Sequence, residues 1–164
     1  VVIVNECDAA DSLGITVGQG DVEIGTVNIE LYPEVARKIS ARFPDVKFVA
    51  ITLRESVSAD HNNWGGMLYE TDSGGWTFSP WEGDEYRPFE IRDIVDRVGA
   101  GDSFAAGLIF AMMDAELQLS RQSILDFAVS ASCRCHSIEG DFNFSSRAEV
   151  LALMQGDRSG RVRR

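Results

Sequence analysis

A chain of 164 residues with 45% hydrophobic residues is long enough to bury one core and fits one ordinary domain. Its formal net charge of −11 argues against non-specific binding to nucleic acid or to an anionic membrane, since the average field repels both. No run reaches the roughly 18 apolar residues of a membrane helix, and the Val1 to Val4 run is too short for a signal peptide. Three cysteines, Cys7, Cys133 and Cys135, lack disulfide-scaffold spacing. The expectation is a soluble protein of the reducing cytoplasm.

Val1 to Val4 is a β-branched run ending at Asn5, the pattern of a buried strand that delivers a polar residue at its carboxyl end. Asp8 to Leu13 predicts a short helical turn. Glu30 to Phe43 carries Leu31, Val35, Ile39 and Phe43 at spacings of four, which predicts a helix stopped by Pro44 and Asp45. Lys47 to Leu53 predicts a second buried strand, and the order strand, helix, strand implies a parallel pair. Ser56 to Gly66 looks turn-rich, after which Met67 to Glu70 and Trp76 to Pro80 predict a hairpin around Asp72 to Gly75.

Phe89 to Val95 is strand-like, and Gly99, Ala100 and Gly101 break that pattern before a helix starting near Asp102. A further helix is predicted from Ser120, a plausible cap, to about His136, and another from Ser146. Residues 156–164 are expected to be a disordered basic tail. The fold class expected is α/β, a mostly parallel sheet flanked by helices in three α/β/α layers with a short β-hairpin, undivided into further domains. Ligands bind such sheets beyond the carboxyl ends of the strands.

The segment Asp96, Arg97, Val98, Gly99, Ala100, Gly101, Asp102, Ser103, Phe104, with Gly107 one turn later, joins a strand to a helix. Its glycines let successive N–H groups point into one space at the positive end of the helix, a pocket for phosphate. Asp102 follows at once. It is open to two readings, an N-cap or a base beside a transferring phosphoryl group. Cys133, Cys135 and His136 suggest zinc but lack a second ligand pair.

This string resembles the second signature of the ribokinase-like (PfkB) carbohydrate kinases, although Arg97 and Val98 stand where that family has hydroxyl residues. The resemblance implies that Asp102 is the catalytic base and that the amides of Gly99, Ala100, Gly101 and Asp102 form an anion hole for the γ-phosphate of ATP. Asn5, Glu6, Cys7, Asp8 is similar to the family's Asn-x-x-Glu motif, with Asp8 in place of Glu. That assigns Asn5 and Asp8 to the water shell of Mg²⁺, whereas residue types alone favour a helix cap and a surface charge. Thr52 and Arg54 match the strand end that lies over the ATP phosphates. Arg54 either neutralises phosphate or pairs at the surface with Glu55 or Asp60. His136 to Asn143, with Gly140 and Asn143, is similar to the adenine-side loop of the subgroup that phosphorylates 2-keto-3-deoxygluconate.

The resemblance covers most of residues 1–155, as the carboxyl-terminal nucleotide-binding and catalytic part of such a kinase. It implies an ATP-dependent transferase acting on a sugar or sugar acid, with 2-keto-3-deoxygluconate favoured over fructose or ribose. The partners expected are that small molecule, an amino-terminal half outside the chain and further copies of the enzyme. A catalytically silent nucleotide-binding fragment is the rival from a different class.

Overall fold

The computed structural model describes residues 1–16 and 29–156. Strand β1 (Val2–Val4) runs into helix α1 (Glu6–Leu13), and a 3₁₀ turn (Ile29–Leu31) leads into α2 (Tyr32–Arg42). Strands β2 (Phe48–Ser58), β3 (His61–Glu70) and β4 (Gly75–Ser79) follow, then the short β5 (Trp81–Glu82), β6 (Glu85–Tyr86) and β7 (Phe89–Ile91). Three helices end the chain: α3 (Ala100–Met113), α4 (Arg121–Cys135) and α5 (Arg147–Met154). From 157 onward the expected tail lies outside the described residues.

The main sheet has the order β1-β2-β3-β4, with β7 also on β3, and β5 with β6 forms a separate hairpin. Helices cover both faces, as expected of the α/β class. The pairing, however, is mixed rather than mostly parallel: β1 and β2 are parallel, while β3 pairs antiparallel with β2, β4 and β7. The reason lies in Ser56 to Gly66, expected as turns. Only Ala59 and Asp60 turn: Ser56 to Ser58 end β2, and His61 to Gly66 open β3, where Asn62 to Trp64 bridge β2 on one side and β7 on the other.

Side chains of β2 alternate between two cores, as a strand covered on both faces requires. Val49, Ile51 and Leu53 join Val35, Ala36 and Ile39 of α2 on one face. Ala50 joins Leu68, Phe104, Leu108, Leu125 and Val129 under α3 and α4 on the other. Phe104 is fully buried, and truncating it to Ala costs about 3–5 kcal/mol on general grounds. Gly107 of the loop-and-helix motif is where α4 crosses α3. A Cβ there would lie 3.1 Å from Ala128 Cα. Core packing thus fixes α3, and with it the loop before it.

Candidate phosphate-binding site

Helix α3 opens at Gly99, whose left-handed backbone (φ 80°) turns the chain from loop to helix, and no side chain caps this start. The Ser103 N–H bonds the Gly99 carbonyl at 2.8 Å, so the amides of Ala100, Gly101 and Asp102 precede the first helical bond and remain available to an anion. Asp102 therefore stands in the first turn and is not the cap. The residue is exposed.

The two glycines of the loop differ in what demands them. A Cβ on Gly99 would lie 2.4 Å from the Asp141 carbonyl oxygen, a clash added to its positive φ. A Cβ on Gly101 would meet nothing within 4 Å. The fold requires the first glycine; space for a ligand is what the second leaves open.

Contacts distant in sequence hold the loop in place. Asp96 accepts backbone N–H bonds from Arg97 (2.7 Å) and Val98 (3.0 Å) through one oxygen and from Gly140 (3.1 Å) through the other. Those bonds, Val98 and Gly140 foremost, hold its carboxyl below the usual aspartate range. The end of α4 supplies a second support. Ser132 Oγ donates to the Ala100 carbonyl at 2.6 Å, and the His136 carbonyl accepts the Val95 N–H at 2.9 Å. The His136 ring is buried, with Nδ1 3.0 Å from the Ser132 carbonyl oxygen and Trp64 edge-on at 4.9 Å. Burial lowers its pKa, and the charges of Arg97 and Arg54 add to that. The Cys133, Cys135, His136 group is thus packing. Among the described residues no cluster of three or more His, Cys, Asp or Glu could hold a metal.

Thr52 is buried on the α3 side of β2, two residues along from Ala50. Arg54, two further on the same face, is exposed. Neither expected surface partner engages it: Glu55 accepts the Asn63 amide and Asp60 the Ser58 hydroxyl, each at 2.7 Å. Arg97 does not reach into the loop's open side. Its guanidinium donates to the Ser58 carbonyl at 2.9 Å and to that of Ala59, tying the loop to the β2–β3 turn.

Asn5 follows Val4, which pairs with Ile51, so it stands level with Thr52 at the same sheet end. Its side chain accepts the Asp8 N–H at 2.8 Å, and Asp8 Oδ2 accepts the Asn5 N–H at 3.1 Å, a reciprocal capping box for α1. The helix-cap reading of these residues is therefore realised. One exposed Asp8 oxygen remains, which fits Mg²⁺ held through water and nucleotide phosphates but not a direct protein cage. Gly140 donates its N–H to Asp96, and Asn143 uses its amide internally, donating to the Ala131 carbonyl and accepting the Ser145 N–H, each at 2.9 Å. These two shape the loop that walls a cavity of about 440 Å³, also lined by Asp102, Ser103, Phe110, Phe127 and Phe142. The cavity runs from the start of α3 along its apolar side.

Sequence reasoning missed Asp96, Ser132 and His136 as supports of the loop. Only Asp96 carried a signal, an acid three residues before the first loop glycine, Gly99. Fold and loop together define an α/β protein with three amides outside the helical bonding at the start of α3 and an apolar cavity alongside.

The chain aligns with a 2-dehydro-3-deoxygluconokinase from Thermotoga maritima at 40% identity and TM-score 0.77, over 94% of this chain and 40% of that one. A PfkB-family carbohydrate kinase from Listeria grayi aligns at 21% identity and TM-score 0.68, over 94% and 41%. A proposed 2-keto-3-deoxygluconate kinase from Enterococcus faecalis aligns at 22% and 0.71, over 99% and 43%. The chain thus shares the ribokinase-like α/β fold of these carbohydrate kinases and is similar in sequence to part of the first of them. It spans about 40% of the length of the solved relatives it matches. No protein-family model matches the chain, and no curated protein does. Among the described residues no helix is long and apolar enough to cross a membrane.

Proposed function

We propose that residues 1–155 are the nucleotide-binding and catalytic part of an ATP-dependent kinase that phosphorylates a sugar acid, 2-keto-3-deoxygluconate, at its primary hydroxyl. The observation that carries this reading is the start of α3, where the amides of Ala100, Gly101 and Asp102 precede the first helical bond and the exposed Asp102 stands in the same first turn. The 40% identity to the Thermotoga maritima 2-dehydro-3-deoxygluconokinase supports the acceptor.

In this mechanism the amides of residues 99–102 hold the γ-phosphoryl oxygens and stabilise charge that spreads over them in the transition state. Asp102 takes the hydroxyl proton as the acceptor oxygen bonds to phosphorus, and the bond from the γ-phosphorus to the β-phosphate oxygen breaks with its electron pair leaving on ADP. Arg54 offers a further positive charge from the strand face below. When bound, Mg²⁺ neutralises phosphate charge, and Asn5 and Asp8 would hold it through water. The cavity beside Phe110 and Phe142 accepts the nucleoside.

The coverage of about 40% of each relative favours a second reading for the isolated chain, a nucleotide binder without turnover. A coupled assay of the full-length protein against sugars and sugar acids, read by product mass, separates the two. Sugar-acid phosphate is expected. A preference for fructose or ribose would replace the acceptor, and no product from any acceptor would remove the kinase reading.

A further inference from the structure

We propose that Asp96 is a positioning residue that aligns the amides at the start of α3 for the terminal phosphate of a nucleoside triphosphate, by clasping two loops from separate parts of the chain. The inference rests on the phosphate-binding reading of α3 but assigns a role that reading does not contain. Asp96 touches no reacting atom.

Its carboxylate accepts the N–H groups of Arg97 and Val98, which curls residues 96–98 into the turn that precedes Gly99. The second oxygen accepts the N–H of Gly140, 44 residues away, in the loop that carries Asp141, Phe142 and Asn143 along the cavity wall. The same two loops press together where Gly99 meets the Asp141 carbonyl, with room for a hydrogen atom and no more. One side chain thus registers the anion-binding amides against the wall of the cavity. A carboxylate suits the task better than an amide because it accepts at both oxygens, and bonds to an ionised acceptor are about twice as strong as neutral ones.

Arg97 extends the clasp outward. Between two of the N–H donors that Asp96 gathers, it sends its guanidinium to the carbonyls of Ser58 and Ala59. The loop before α3 is therefore held on both sides: to the 139–142 loop by Asp96, to the β2–β3 turn by Arg97. Neither contact is needed to bury the core, which Phe104, Leu108 and Val129 fill without them. Their effect falls on geometry at the site. An amide displaced by a fraction of an ångström loses much of its bond to phosphate.

The test uses the full-length protein and two variants, Asp96→Asn and Asp96→Ala. Asn keeps an acceptor for Arg97 and Val98 but turns an NH₂ toward the Gly140 N–H, so it breaks the bridge between loops while sparing the turn. Affinities for a non-hydrolysable ATP analogue and for ADP, both with Mg²⁺, are measured by calorimetry alongside thermal unfolding. Both variants are expected to bind the triphosphate about tenfold more weakly while ADP affinity stays within about twofold, because only the terminal phosphate reads the amides. Unfolding temperature is expected to stay near wild type for Asp96→Asn. Equal losses for both nucleotides accompanied by a lowered unfolding temperature would make Asp96 a stability residue and overturn the inference, as would unchanged affinities. A wild type that binds triphosphate but phosphorylates no acceptor overturns the kinase reading and leaves this one standing. A wild type that binds neither nucleotide overturns the inference itself.

Discussion

Asp102 stands beyond the cap of α3, so its replacement separates chemistry from folding. Asp102→Asn in the full-length protein is expected to lower kcat by about 10²- to 10⁴-fold, the usual worth of a general base, with nucleotide affinity nearly unchanged. The helix loses only a dipole interaction of about 0.3–1 kcal/mol. A variant keeping half the rate would remove Asp102 from the base role. The paired glycines make a second contrast. Gly99→Ala forces a Cβ toward the Asp141 carbonyl at positive φ and is expected to cost at least about 2 kcal/mol in chemical denaturation. At Gly101 an added Cβ meets nothing within 4 Å, so Gly101→Val is expected to leave stability within about 1 kcal/mol while abolishing the triphosphate preference, because its branched side chain stands in the anion's space. If calorimetry found ATP binding by Gly101→Val unaltered, the amides at this helix start would not be the anion hole.

The element that decides loop geometry is α4, whose C-cap residue, His136, is a buried imidazole. Because burial depresses the pKa of His136 in the folded state, the unfolded chain binds its proton first as pH falls below the free histidine value of 6.5. Stability contributed by the neutral ring is thus complete above pH 6.5 and declines below it, by up to about 1.4 kcal/mol per pH unit, until the folded form protonates. His136→Gln is expected to flatten the pH dependence of thermal unfolding just below that point relative to wild type; parallel curves would show that the ring is not buried neutral. The start of α4 was legible in Ser120 and that of α5 in Ser146, since both cap with their own side chains. The β3–β4 hairpin was legible in its glycines and alternating side chains. The first part of β3 was not. Asn62, Asn63, Gly65 and Gly66 read as turn residues, yet Gly65 is small because Tyr86 lies against it and Gly66 because Phe104 does. The site divides in the same way. Gly99 to Asp102 is a local pattern, whereas Asp96 with Gly140 and Ser132 with Ala100 span 44 and 32 residues and leave no periodic trace.

For the molecule as a whole, the surface is as telling as the core. Among the described residues strand β1 pairs with β2 alone, and a cavity of about 600 Å³ is lined by Val2, Val4, Phe43 and Pro44. Ile109, Phe110 and Met113 of α3 are exposed, as are Phe142 and Phe144, which pack on each other. Apolar surface of this kind is rare on monomers. The 164-residue chain on its own is expected to self-associate despite its charge of −11, with sedimentation velocity showing species larger than 18.0 kDa. A single monomeric boundary at every concentration would contradict this. The three tryptophans give the molecule an optical signature. Trp76 and Trp81 are 52% and 45% exposed and will emit to the red and be quenched by acrylamide, whereas Trp64, 5% exposed against His136, will emit to the blue and be shielded. Since His136 also carries the carbonyl that holds the loop before α3, the blue component is a built-in fluorescence gauge of that loop, readable in the unlabelled protein.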